Sequence, residues 1–350
     1  MPWLKKIDAN RVYSNMGPLW QLFAERLGQH FQTGSGTVLP VANGTLGLAT
    51  ALLAAGVTAG QTCLLPAWTF VASGHAVRAA GLEPCFVDVD EHSGMLTPDI
   101  ARRQLATASG RVGAVMVVSP FGAPVDLAGW EMFRQETGIP VVVDAAAGFD
   151  TVRPTALAVV VSLHATKIFG IGEGGFILST DTAFIRECQR ASNFGFLGNR
   201  SALIPAINAK MSEYNAAIGL AGLEMWPESR ANYARVCARL AKHLGARSDV
   251  NLQAGWGEDW VSATCVARFA VSALLVETAL AGCNIETRRW WGDGLQAHPA
   301  FADCAATPLP VTVRLAQSSL GLPCCPDLTT DNIDYTIAAL ASVLDERASA

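Results

Sequence analysis

Charge is scarce in this sequence: 16% of residues are charged against 51% hydrophobic, and the formal net charge is only −5. That balance excludes a broad electrostatic grip on nucleic acid or on an anionic membrane, and it excludes a disordered chain. An apolar signal core is also missing, since MPWLKKIDANRVYSN is broken by charge and polarity. No apolar run reaches the roughly 20 residues that span a bilayer. The nine cysteines are odd in number and form no C-x-x-C pair, which speaks against a zinc ribbon or a dithiol redox motif. Cys63 in TCLLP and Cys85 in PCFVDV lie in apolar runs, where a thiol serves as a small hydrophobe. The expectation is a soluble protein of a reducing cytoplasm. A G-x-G-x-x-G turn after the first strand is absent too, which removes a nucleotide-binding dehydrogenase.

What is present is an alternation. Short Val-, Ile- and Leu-rich runs fall at 62–66, 84–90, 114–120, 141–145, 157–164 and 174–180. Helical patterns separate most of them, at Leu46–Leu53, Val71–Ala80, Pro98–Ala106, Leu127–Thr137 and Ala183–Ala191. Near-continuous apolar strands between helices predict an α/β fold with a mostly parallel sheet covered on both faces. Functional residues then gather at strand ends. A helix capped by Ser212 is expected to reach about Trp226, and another to cover Ala231–Leu244. The remainder, with SATCVARFAV, PVTVRLAQ and a terminal helix Thr330–Leu344, reads as a smaller α/β unit. The expected division is a large domain at 1–228 and a small C-terminal domain at 229–350.

Four features carry chemistry, and each has a plainer reading. Lys167 follows the apolar strand in VSLHATKIFGIGEGG, where burial would favour its neutral, nucleophilic amine; the plain reading is a surface lysine in a glycine-rich loop. Asp144 ends VVVDAAA, a run with no other charge, and calls for a cationic partner such as a protonated ring nitrogen; otherwise it caps a helix. Asn43, Gly44 and Thr45 open a helix whose free N–H groups suit a phosphate, and Ser162 can add a hydroxyl, although many helices begin this way. Trp68 and Phe70 follow a strand end, where one can stack on a planar ring or both can pack in the core.

On these residues the chain resembles the sugar aminotransferases of the DegT/StrS group, fold-type I enzymes that use pyridoxal 5′-phosphate. The likeness runs through YSNMGPLWQLFAERL (13–27), NGTLGL (43–48), P-x-x-T-F-V-A (66–72), FVDVD (86–90) and FGAPVDL (121–127). It continues in VDAAAGFD (143–150), SLHATKIFGIGEGG (162–175), INAKMSEYNAAIGL (207–220) and LGLPCCPDLTTDNID (320–334). The resemblance implies a large domain with a mostly parallel central sheet and a smaller C-terminal α/β domain. It implies that Lys167 holds the cofactor as a Schiff base and that Asp144 faces the pyridinium nitrogen. Gly44, Thr45 and Ser162 would contact the phosphate, and Phe70, rather than Trp68, would stack on the ring. The segment matching Asn208–Lys210 reaches a partner subunit's phosphate in the family, implying a homodimer with shared sites; a solvated lysine is the plain alternative for Lys210.

The implied reaction moves an amino group from glutamate to a keto-sugar carried on a nucleotide. Arg288 and Arg289, with Trp290 and Trp291, are candidates for a diphosphate or carboxylate and a base or sugar, or else form an ordinary helix end. His164 is a candidate for contact with cofactor or substrate, or a hydrogen-bonded structural histidine. The family's usual glutamine near the cofactor's phenolic oxygen is Ala147 here, and its frequent asparagine after the lysine is Ile168. Retention of Lys167 favours transamination over a sugar dehydrase or lyase of the same fold, and Lys167 with Asp144 together disfavour an inactive regulatory homologue.

Overall fold

The computed structural model describes residues 2–106 and 110–348. Its strands are β1 (Val38–Val41), β2 (Thr62–Pro66), β3 (Glu83–Val87), β4 (Val112–Val118), β5 (Val141–Asp144), β6 (Ala158–Ser162), β7 (Gly175–Leu178), β8 (Val250–Asn251), β9 (Cys265–Phe269), β10 (Ala305–Ala306) and β11 (Ser319–Leu322). The helices are α1 (Pro2–Asn10), α2 (Pro18–His30), α3 (Gly44–Ala54), α4 (Val71–Ala79), α5 (Pro98–Leu105), α6 (Leu127–Thr137), α7 (Thr182–Ala191), α8 (Glu213–Leu244), α9 (Ala273–Gly282), α10 (Pro310–Ser318) and α11 (Thr330–Ala348).

Eight strands form one sheet in the order β1-β7-β6-β5-β4-β2-β3-β10. From β6 through β10 all neighbours are parallel, while β7 is antiparallel to both β6 and β1. The mostly parallel sheet read from the sequence is therefore present. Every residue of β5, β6 and β7 is buried, because helices cover both faces and the strands are almost wholly aliphatic. Each fully buried Val or Ile there contributes about 1.5–3 kcal/mol. Strand β1, only VLPV, escaped the sequence pattern because four residues containing a proline carry too little signal.

A second sheet, β11-β9-β8, is antiparallel and drawn entirely from the C-terminal part of the chain. The two helices expected at 212–226 and 231–244 are one: α8 runs unbroken from Glu213 to Leu244 through Pro227. An interior proline costs about 3 kcal/mol. Here it is offset by burial on both sides, of Leu220 and Trp226 before it and of Val236, Leu240 and Leu244 after it. Residue 228 thus lies within a helix, and residues 305–306 return to the large sheet beside β3. PVTVRLAQ alternates like a strand but is helical, because Asp88 accepts the Val311 and Thr312 N–H groups at 2.8 Å each and so caps α10.

The entry to α2 is held in an unusual way. Its N-cap, Gly17, has no side chain to offer. Glu213, fully buried in the first turn of α8, instead accepts the Leu19 N–H and the Trp20 N–H at 2.8 Å each. Its carboxylate thereby sits at two helix N-termini, where negative charge is favoured. The Trp20 indole donates to the Pro40 carbonyl at 3.0 Å and ties α2 to β1. Glu213→Ala is expected to lose about 3 kcal/mol through two stranded N–H groups, and Glu213→Gln less. Urea denaturation reads this as a lowered midpoint; a midpoint unchanged in the alanine variant would contradict the capping role.

Candidate active site

One edge of the large sheet collects the chemistry. Strand β1 ends at Val41, β6 ends at Ser162 and β7 begins at Gly175, and the register pairs Gly175 with both Val41 and Ser162. Strand β5 ends beside them at Asp144, paired with Val160 of β6. Carboxyl ends of parallel strands are where α/β sheets place their ligands.

Asp144 is only 5% exposed. Its Oδ2 accepts the Ser73 hydroxyl at 2.7 Å, and its Oδ1 accepts the Ala146 N–H at 3.1 Å. Burial pushes this carboxyl above its ordinary value, opposed by those two hydrogen bonds and by the charge of Lys167. Lys167 mirrors it: burial pushes the amine below its ordinary value, opposed by the charge of Asp144. Each charge thus favours the ionised form of the other, while burial disfavours both. A ring with a protonated nitrogen at one end and an aldehyde at the other suits both groups.

Lys167 sits in the turn between antiparallel β6 and β7 rather than in a strand. That turn is pinned by Leu163 N–H to Gly174 O at 2.9 Å, Ala165 N–H to Gly172 O at 2.8 Å, and Ile171 N–H to Leu163 O at 2.9 Å. Its apolar flank is anchored as well. Phe169 stacks on Phe149 with centroids 4.2 Å apart and planes 11° apart, and Trp226 of α8 closes on both rings. Since Phe149 follows Asp144 by one turn of chain, the stack fixes the lysine segment against the aspartate segment.

The residues expected to hold an anion lie beside them. Asn43 caps α3, its Oδ1 accepting the Leu46 N–H at 2.9 Å. Gly44 and Ser162 approach so closely that a side chain on Gly44 would lie 3.1 Å from the Ser162 Cβ. Gly175 is as constrained, since a Cβ there would meet the Gly44 nitrogen at 2.9 Å. The start of α3, where Thr45 follows Gly44, is thereby held against Ser162 at the end of β6.

Phe70, the N-cap of α4, is 54% exposed and free to cover a flat ligand. Trp68 is not free: it is buried against Phe121 and Trp291, whose rings stack at 4.1 Å. The core reading holds for Trp68, and Trp291 is likewise committed to this packing. The Arg288–Arg289 fork is divided as well. Arg289 pairs with Asp293 at 2.6 Å, whereas Arg288 lies over the Trp290 ring, 5.1 Å from its centroid. His164 makes a local bond to Thr166 at 2.9 Å. Ala147, in place of a glutamine, offers no polar side chain and lies against Gly122.

The Asn208–Lys210 segment lies along the end of β1, with Ala42 N–H to Ala209 O at 2.8 Å. The Lys210 amine donates to Asn208 Oδ1 at 2.7 Å and sits over the Phe194 ring. Sequence reasoning missed Ser73, the hydroxyl that holds Asp144. The signal was a second hydroxyl four residues before it, that of Thr69, which bonds it at 2.8 Å. A cavity of about 680 Å³, walled by Asp90, Thr97, Arg102, Ala123, Trp130 and Met132, opens between α5 and α6; neither Asp144 nor Lys167 lines it.

Comparisons with known proteins bear on the family and the fold. UDP-2-acetamido-2-deoxy-3-oxo-D-glucuronate aminotransferase of Pseudomonas aeruginosa is 28% identical, over 96% of this chain and 96% of its own. A Bacillus cereus ATCC 10987 protein, assigned as a PLP-dependent aminotransferase, superposes with a TM-score of 0.91 at 30% identity, covering 97% of this chain and 95% of its own. DesI, solved in the presence of its TDP-sugar product, superposes with a TM-score of 0.86 at 27% identity, covering 100% of this chain and 92% of its own. The model of the DegT/DnrJ/EryC1/StrS aminotransferase family matches residues 2–341, and with a fold-type I architecture the chain belongs to that family.

Proposed function

We propose that this chain is a pyridoxal-phosphate-dependent aminotransferase that moves an amino group from an amino acid, glutamate, to a keto-sugar carried on a nucleotide. The observation that carries the reading is the opposition of buried Asp144 and half-buried Lys167 beside the start of α3. The nucleotide-sugar acceptor is supported by the aminotransferase of Pseudomonas aeruginosa and by DesI with its TDP-sugar product.

Bound pyridoxal phosphate supplies an aldehyde carbon and a ring that accepts the electron pair of a broken C–H bond. The chain's own groups do the rest. Gly44, Thr45 and Ser162 would hold the phosphate, and Phe70 would cover one ring face. Asp144 would favour a positive charge on the ring nitrogen. Lys167 would hold the aldehyde end, and its neutral Nζ, when free, would take and return a proton at the substrate carbon. Burial supports that role by disfavouring the ammonium form.

The reading includes a homodimer. Tyr214, Ile218 and Met225 leave an apolar stripe exposed along α8, at 48%, 45% and 60%. Exposed Phe194 carries the Lys210 amine nearby, and Asn208 and Lys210 then serve a partner subunit's phosphate. A reducing cytoplasm is supported by nine cysteines, all free.

Lys167→Ala is expected to abolish the covalent adduct that borohydride traps on the wild-type protein; an adduct persisting in the variant would move the attachment elsewhere. Asp144→Ala should retain that adduct yet slow turnover by about 10²-fold or more, the scale of a lost charge-stabilising group. Near-normal turnover would remove its role. In the apoprotein the neutral amine predominates above its own depressed pKa. Covalent cofactor uptake should therefore rise with pH at a midpoint below the ordinary lysine value of 10.5. A midpoint at or above that value, measured by stopped-flow absorbance, would contradict the burial effect.

A further inference from the structure

A hydroxyl relay stands behind Asp144. The Ser73 Oγ lies 2.7 Å from Asp144 Oδ2 and 2.8 Å from the Thr69 Oγ1, and all three residues are buried, Ser73 completely. Ser73 lies in the first turn of α4, and Thr69 lies just before its N-cap Phe70, in the bend between β2 and α4. The other carboxylate oxygen is held by the Ala146 N–H, leaving Ser73 as the one side-chain donor to Asp144 among the described residues.

A hydroxyl has one proton to give and can also accept. When Asp144 is ionised it can only accept, so Ser73 must donate to it, and Ser73 in turn accepts from Thr69. When Asp144 is protonated the chain can run the other way, Asp144 donating to Ser73 and Ser73 to Thr69. Either direction leaves each of the three side chains with a hydrogen-bond partner, which a backbone N–H in place of Ser73 would not allow.

Resting on the proposed cofactor role of Asp144, we infer that Ser73, fixed by Thr69, is a positioning residue that sustains the Asp144 carboxylate and through it the charge on the ring nitrogen. Ser73 itself touches neither substrate nor cofactor. It acts by giving a charge-assisted hydrogen bond to a carboxylate that water barely reaches. Loss of that bond makes the carboxylate more basic, so the proton it shares with the ring nitrogen is drawn toward Asp144.

The test uses full-length protein loaded with pyridoxal phosphate labelled with nitrogen-15 in the ring, read by NMR across a pH series. Wild type should keep a protonated ring nitrogen through neutral pH. Ser73→Ala should move the deprotonation midpoint down by about 1–2 pH units and lower kcat by about 10- to 100-fold, with KM for the amino donor little changed. Thr69→Val, which keeps the shape, should move both in the same direction by less, and Ser73→Thr, which restores a hydroxyl, should recover most of the loss. Melting curves of the apoproteins separate a folding defect, because a purely structural Ser73 would lower the melting temperature without moving the nitrogen midpoint. A midpoint and kcat equal to wild type in Ser73→Ala would overturn the inference while leaving Asp144 in place. A wild-type ring nitrogen found unprotonated at neutral pH would instead sink the Asp144 reading on which it rests.

Discussion

A carboxylate and an ammonium brought out of water toward each other are poorly served by each other alone. Asp144 is buried at the end of β5 with one hydroxyl and one N–H for support. Lys167 is drawn inward from the β6–β7 turn, and burial disfavours its charge just as it disfavours that of Asp144. Desolvation in each case works against their mutual attraction. In the proposed reading, the pair would serve a bound group with a cationic end and an electrophilic end. Nearly every other feature of the sheet edge makes sense as support for that spacing.

The support comes from several directions. The Phe149–Phe169 stack couples the chain after Asp144 to the chain after Lys167, and Trp226 presses α8 onto both. Asp150, next after Phe149, receives a bidentate Arg230 from α8 and the Val261 N–H at 3.1 Å, so the aspartate segment is also tied to the C-terminal part of the chain. Glu213 at the other end of α8 caps α2, and α2 is bonded to β1, whose end leads into the anion site. One long helix thereby touches the lysine turn and the aspartate segment and is linked through α2 to β1. This explains why it tolerates Pro227 rather than breaking there.

Much of this was legible in the sequence for one reason: a strand buried on both faces must be apolar throughout, so VVVDA, LAVVVSLH and GGFILST announce themselves, and a charge at their ends stands out. Lys167 and Asp144 were found that way, Gly44 was found as a helix start and Ser162 as a hydroxyl on the strand before the lysine, and the structure places them at neighbouring strand ends. Phe70 and Trp68 look alike in sequence, and only packing separates the exposed ring from the one locked against Phe121 and Trp291. The helix α10 was hidden because its cap, Asp88, lies 223 residues away from Val311. Ser73 and Glu213 were hidden for the same reason. Their roles exist only through partners 71 and 194 residues distant, and no local pattern encodes such a bond.

The arrangement of the pair can be seen directly by diffraction from crystals of the cofactor-loaded protein. The account predicts continuous density from the Lys167 side chain into a planar ring lying under Phe70, with the ring nitrogen within hydrogen-bonding distance of the Asp144 carboxylate and the phosphate at the start of α3. Density for the ring elsewhere, or an Asp144 carboxylate turned away from the ring while Lys167 remains unattached, would contradict it.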